Sequence, residues 1–185
     1  MADAALIAPE EGRVLRRAGF TAAERTVGLV RVQIFSRATE AEARFSEQLQ
    51  LRLPGPRQAI EAEGMQWCWS APGEWVVSVP VGTEAVVIES LRSRCGDFFA
   101  VLNVITDSRV CLHLSGTNVR ELLARGCTVD FHPDSFCVGH CASTRFADIP
   151  VMVLRPGEDG DFLLYVDSSY GDYLFKWLEA ASRDC

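Results

Sequence analysis

Hydrophobic and polar positions along the chain fall into short runs whose period changes from two to about 3.6 and back. Leu29–Phe35 alternates apolar and polar residues and predicts a half-buried strand. Thr39 and Glu42 have capping-box spacing, and Ala41, Phe45 and Leu49 recur every four residues, predicting a helix over 39–50 that Leu53–Pro56 stops. Met65–Ser70 and Trp75–Val79 flank Ala71-Pro72-Gly73-Glu74, the residues of a type II turn, and together predict a hairpin. Val87, Ile88, Leu91 and Cys95 mark one face of a helix over 83–95, and Phe98–Thr106 is apolar enough for a buried strand. Val110, Leu112 and Leu114 then alternate as a strand. Ser115-Gly116-Thr117-Asn118 opens a helix with Val119, Leu122 and Leu123 inward, and Gly126 is expected to close it in the left-handed conformation. Ser143–Leu154 predicts two strands broken at Pro150, Arg155-Pro156-Gly157-Glu158 a turn, and Phe162–Val166 a returning strand. Ser169 and Asp172 are placed to cap a last helix carrying the stripe Tyr170, Tyr173, Leu174, Trp177 and Leu178.

This order is one unit written twice: strand, helix, strand, Pro-Gly-Glu turn, strand, helix. Trp75-Val76-Val77-Ser78-Val79 aligns with Phe162-Leu163-Leu164-Tyr165-Val166. The expected fold is therefore α+β, two ferredoxin-like βαββα halves related by internal duplication, spanning 26–106 and 107–185. Residues 1–25 show no sustained periodicity and read as a flexible N-terminal arm.

Charge narrows the function. Lys and Arg total 18 against 25 Asp and Glu, a net −7, and Lys176 is the one lysine. Grip on a phosphate backbone needs cations that displace counterions, so nucleic acid is not an expected partner. Apolar runs such as Ile149–Leu154 fall far short of the ~18 residues of a membrane span. The start of the chain lacks the basic and apolar regions of a secretory signal, and the seven cysteines follow no regular spacing, so reduced thiols in the cytoplasm are expected.

Candidate chemistry is sparse. Cys127, His132, Cys137, His140 and Cys141 are zinc-type ligands, but their spacing lacks a Cys-x2-Cys knuckle. The segment reads as a Pro- and Gly-containing connector with small thiols, and no metal site is expected. Cys111 and His113 share one side of a strand without a nucleophile signature around them. No glycine-rich phosphate loop occurs, so no cofactor is expected in this chain. Trp67 and Trp69 share a strand face with Trp75 across the turn, as a core ladder or as interface anchors. With Arg16, Arg17 and Phe20 of the arm, Trp67 and Trp69 are the candidate partner contacts.

Beyond this chemistry lie longer motifs: Trp69-Ser70-Ala71-Pro72-Gly73-Glu74-Trp75, Thr106-Asp107-Ser108, Leu114-Ser115-Gly116, Leu122-Leu123-Ala124-Arg125-Gly126-Cys127, Asp130-Phe131-His132-Pro133, Phe136, Gly139, Cys141, Ser168/Ser169-Tyr170-Gly171-Asp172-Tyr173-Leu174 and Trp177-Leu178. Their succession over about residues 65–182 resembles the gamma subunits of heterotetrameric sarcosine oxidases. The resemblance implies a fold like the folate-binding region of the glycine-cleavage T-protein. It also implies a cytoplasmic, non-catalytic assembly subunit with no catalytic residue of its own. The implied partners are an alpha subunit with NAD and a folate-binding half, a beta subunit with FAD and FMN, and a delta subunit with cysteine-ligated zinc. The implied reaction takes sarcosine to glycine, with the methyl carbon leaving as formaldehyde or methylenetetrahydrofolate and oxygen becoming hydrogen peroxide. Two other functions stay open: a stand-alone tetrahydrofolate-binding one-carbon-transfer protein, and the matching subunit of a related N-methyl amino acid oxidoreductase.

Overall fold

The computed structural model describes residues 12–35, 40–95 and 99–184. In chain order the first elements are β1 (Val14–Arg17), β2 (Phe20–Arg25), β3 (Gly28–Ile34), α1 (Glu40–Leu49), β4 (Ala59–Ala62), β5 (Met65–Ala71), β6 (Glu74–Val79), α2 (Glu84–Arg94) and β7 (Ala100–Val104). They are followed by β8 (Arg109–Ser115), α3 (Val119–Gly126), β9 (Cys141–Phe146), β10 (Ile149–Leu154), β11 (Phe162–Asp167) and α4 (Gly171–Ala181). Two units result. Residues 27–106 form one; residues 107–184 together with 12–26 form the other.

The first unit is a five-stranded sheet ordered β4-β5-β6-β3-β7, every neighbour antiparallel. Val30, Val32 and Ile34 of β3 and Trp75, Val77 and Val79 of β6 form a core with Phe45 and Leu49 of α1 and Ile88 and Leu91 of α2. Gly73 sits at φ +70° in the Pro72–Gly73 turn, the left-handed position that the turn reserves for glycine. Thr39 lies outside the described residues, while Glu42 accepts a hydrogen bond from the Gly73 N–H at 2.7 Å and so ties α1 to the hairpin. The Trp75 indole N–H donates to the Pro54 carbonyl at 2.9 Å, which fixes the chain where α1 ends.

The second unit is a six-stranded sheet ordered β1-β2-β8-β11-β10-β9. Superposing the two orders makes β9, β10, β11 and β8 the counterparts of β4, β5, β6 and β3. The place of β7 is then taken by β2. The flexible-arm reading of 1–25 is therefore corrected for its described part: β2 pairs with β8 from Thr21↔Ser115 to Arg25↔Cys111, and β1 pairs with β2. The physical cause is the unfilled edge of β8. Among the described residues no strand follows α4, and a bare edge beside Leu112 and Leu114 would leave backbone groups and apolar side chains without partners. Leu15, Phe20 and Ala22 bury into the same core as Leu112, Leu114, Leu122, Val153, Phe162 and Leu174. Period-two reading missed the hairpin because Arg16, Arg17 and Thr21 interrupt so short a run.

Two glycines let the hairpin seat. Gly116, at φ +114°, approaches the Gly19 backbone so closely that a Cβ would overlap the Gly19 carbonyl. The Asn118 N–H donates to that carbonyl at 2.9 Å. Arg13, preceding β1, pairs with Glu24 at 2.6 Å and with Asp172 of α4 at 2.5 Å. The Glu24 hydrogen bond is the largest influence holding the Arg13 guanidinium above its ordinary range.

Four local expectations change. Gly126 is the last residue of α3 and has no positive φ; it is small because a Cβ would lie 2.8 Å from both Phe146 and Trp177, whose rings meet edge-on at 4.9 Å. The break between β9 and β10 is at Ala147–Asp148, both with positive φ, and Pro150 lies inside β10 before its pairing with β11 begins at Val151. The last helix follows a single 3₁₀ turn capped by Asp167, whose carboxylate accepts from the Ser169 N–H and hydroxyl at 3.0 and 2.7 Å, rather than by Ser169 itself. In the stripe of α4, Leu174 and Leu178 are buried, whereas Tyr170 and Tyr173 are exposed. No helix among the described residues is long and apolar enough to cross a membrane.

Deleting residues 1–25 is expected to unfold the second unit rather than trim a tail, because it strips β2 from β8 and Leu15 and Phe20 from the core. Phe20→Ala alone should cost ~3–5 kcal/mol in chemical denaturation. A truncated chain with an unchanged denaturation midpoint would contradict the pairing.

Candidate functional site

The candidate ligand cluster sits in the connector between α3 and β9, and its side chains are held by local backbone. Cys127 Sγ lies 3.6 Å from Thr144 Oγ1 and accepts from the Val129 N–H at 3.5 Å. His132 Nδ1 accepts from the Asp134 N–H at 3.3 Å, and His140 Nδ1 from the Cys137 N–H at 3.2 Å, each ring nitrogen closing its own turn. The exposed Cys137 thiol donates to the Pro133 and Asp134 carbonyls at 3.5 and 3.6 Å. Cys141 is buried at the start of β9. Among the described residues no three His, Cys, Asp or Glu side chains converge as a metal-binding group.

Cys111 and His113 do lie on one face of β8, away from the core that Leu112 and Leu114 enter. His113 Nε2 faces the Asp161 carboxylate at 2.8 Å, which orients the imidazole toward an acid rather than toward a thiol. Burial pushes the Cys111 thiol up to about 12, with the Arg25 charge pulling weakly the other way. A thiol so held stays protonated at neutral pH and is a poor nucleophile.

Two interface candidates are core residues, which corrects that expectation. Phe20 and Trp67 are 1% and 0% exposed, because β2 and β5 each turn that side chain into the helix-covered side of its sheet. Trp69 is half-buried against the same core as Trp67. Arg16 and Arg17 remain at the surface, with Arg17 3.6 Å from Glu179 of α4.

The exposed apolar surface of the first unit lies elsewhere. Phe35 and Phe99, 58% and 70% exposed, set their rings 5.7 Å apart, and Val104 at the far end of β7 is also exposed. Phe98 of the Phe98–Thr106 run, expected to be a buried strand, lies outside the described residues, and Ala100–Val104 is an edge strand among those described. A continuous apolar run predicts burial; only sheet order reveals that β3 is its sole neighbour among the described residues. The one sequence signal for Phe35 was its position after the last inward residue of the strand, which a period-two reading spends on the strand itself.

A model described as the sarcosine oxidase, gamma subunit family matches residues 37–184. The chain is 30% identical over 120 residues to a sarcosine oxidase subunit gamma of Corynebacterium sp. (strain P-1), covering 65% of this chain and 58% of that protein. It is 31% identical over 103 residues to the corresponding subunit of an Arthrobacter species, covering 56% and 50%. The matched region thus spans about half the length of these curated relatives. In fold it is similar to a chain of the heterotetrameric sarcosine oxidase from Corynebacterium sp. U-96, with a TM-score of 0.78 and 21% identity, covering 99% of this chain and 90% of that one. It is also similar to the glycine cleavage system aminomethyltransferase T of Bartonella henselae, with a TM-score of 0.63 and 15% identity, over 88% of this chain and 46% of that one.

Thiol labelling checks the site chemistry. At pH 8 the exposed Cys137 should be labelled first, and the buried Cys111 on the order of a thousandfold more slowly. The raised Cys111 value also predicts stability lost as pH climbs from 9.0 toward about 12, because the unfolded chain releases that proton first. Equal labelling of the two thiols in the folded chain would contradict this assignment.

Proposed function

We propose that this chain, which belongs to the sarcosine oxidase gamma subunit family, is an assembly subunit of a heterotetrameric sarcosine-oxidising flavoenzyme and contributes no reacting group. The observation that carries the reading is a contrast. The thiol and imidazole at the sheet centre are buried or already paired, yet Phe35 and Phe99 present an aromatic pair to the outside. Aromatic side chains kept exposed beside a strand edge are the composition of a binding surface rather than of a reaction site.

In this reading the partners are alpha, beta and delta subunits, and NAD, tetrahydrofolate, FAD, FMN and zinc belong to them. The complex oxidises the N-methyl group of sarcosine, giving glycine and a one-carbon unit at the formaldehyde level while oxygen is reduced to hydrogen peroxide. This chain's part is to bury surface against the cofactor-bearing subunits, and a permanent interface of that kind covers about 2,000 Å² or more.

Co-expression with the other three subunits tests the proposal. The chain is expected to co-elute with them in equal proportion, to carry no flavin absorbance when purified alone, and to leave sarcosine unoxidised without them. A chain that ignores these subunits but binds tetrahydrofolate by itself would replace this reading with a T-protein-like one.

A further inference from the structure

The two sheets end differently. In the second unit the strand beside β8 is β2, and β2 is itself covered by β1. In the first unit the matching strand is β7, and among the described residues nothing lies beyond it. The hydrogen-bond phase of this edge is fixed by its two ends: the Phe35 N–H donates to the Phe99 carbonyl at 3.2 Å, and the Ile105 N–H donates to the Leu29 carbonyl at 2.9 Å. Odd-numbered residues of the strand therefore bond to β3, and the N–H and C=O groups of Ala100, Leu102 and Val104 point outward.

An open edge of this kind is a template for another strand, and proteins blunt such edges with charge, proline or bulges. The other three sheet edges follow that rule: β1 carries Arg16 and Arg17, β4 carries Glu61, and β9 carries Arg145. Only β7, Ala100-Val101-Leu102-Asn103-Val104, has neither charge nor proline, and it runs between the exposed Phe99 and the exposed Val104.

We infer that the free edge of β7 receives an extended, uncharged segment of a partner subunit as a sixth strand, in the place that β1 occupies in the duplicated sheet. This rests on the assembly reading above and names the surface that performs it. About five residues, ~17 Å of extended chain, match the length of β7. Main-chain hydrogen bonds at Ala100, Leu102 and Val104 give affinity, and the Phe35–Phe99 pair gives an aromatic anchor at one end. A second copy of this chain is disfavoured as occupant, because each copy carries a net −7 and the edge has no cation to offset it.

Residue-resolved hydrogen exchange on the full chain, free and in the co-purified complex, tests this directly. The amides of Leu102 and Val104 are expected to slow at least tenfold on assembly, while Val101 and Asn103, already bonded to β3, change little. Val104→Pro removes one outward donor and spares the ladder with β3; it should lower assembly at least tenfold with the free chain's thermal midpoint unchanged. If the complex forms and the Leu102 and Val104 amides exchange as in the free chain, the strand-addition inference fails while the assembly reading stands. If no complex forms, both fail together. Protection of these amides in the free chain, independent of concentration, would mean that the chain covers its own edge; protection that rises with concentration would mean a second copy does. Either outcome overturns the assignment to a partner subunit.

Discussion

The pairing of β2 with β8 is the constraint on which the second unit depends. Five register pairs, Thr21↔Ser115 to Arg25↔Cys111, join segments about 90 residues apart in the chain, and closing so long a loop has an entropic cost. Burial of Leu15, Phe20 and Ala22 beside Leu112, Leu114 and Leu164 offsets it. The pairing also explains why Ser115-Gly116 must be what it is: any side chain at Gly116 would push the Gly19 turn off the sheet. Over the described residues, 12–26 therefore belong to the second unit, 27–106 to the first, and 107–184 to the second again.

Duplication and asymmetry act together here. Each unit has five strands in the order that buries one sheet face under two helices, and the first unit finds all of them within 27–106. The second shows no strand after α4 among the described residues and draws its fifth, β2, from residues 20–25. Both sheets thereby gain the same inner architecture but different outer edges, charged at β1 and uncharged at β7. Difference at the edge, rather than in the cores, is where a duplicated scaffold can specialise.

The chemistry is correspondingly quiet. His113 faces Asp161, His132 and His140 close turns through Nδ1, and Cys111 is held protonated by burial. His132, Cys137 and His140 of the connector each bond to backbone groups of the same segment, which ties the loop between helix and sheet. The fold of this chain is similar to that of an aminomethyltransferase, but that likeness carries no activity with it, since function resides in side chains placed on a fold and not in the fold itself.

Local patterns legible in the sequence were those whose physics is local. The alternation in β3 and β8, the Pro72–Gly73 turn and the inward Leu122, Leu123, Leu174 and Leu178 follow from steric and periodic rules that act over a few residues, and the duplicated α+β order follows from them. What only the tertiary structure decided were matters of strand order. Residues 14–17 and 20–25 became strands because one edge of β8 was open, not because their own pattern demanded it. Phe20 and Trp67 were candidate contacts by residue type and became core by the side of the sheet on which they fell. Phe35, Phe99 and Val104 carry apolar side chains that periodicity assigns to an interior, and their exposure depends on β7 ending the sheet. Hydrophobic pattern tells a residue that it should be covered; which segment covers it is settled by long-range pairing, which the period of a strand does not encode.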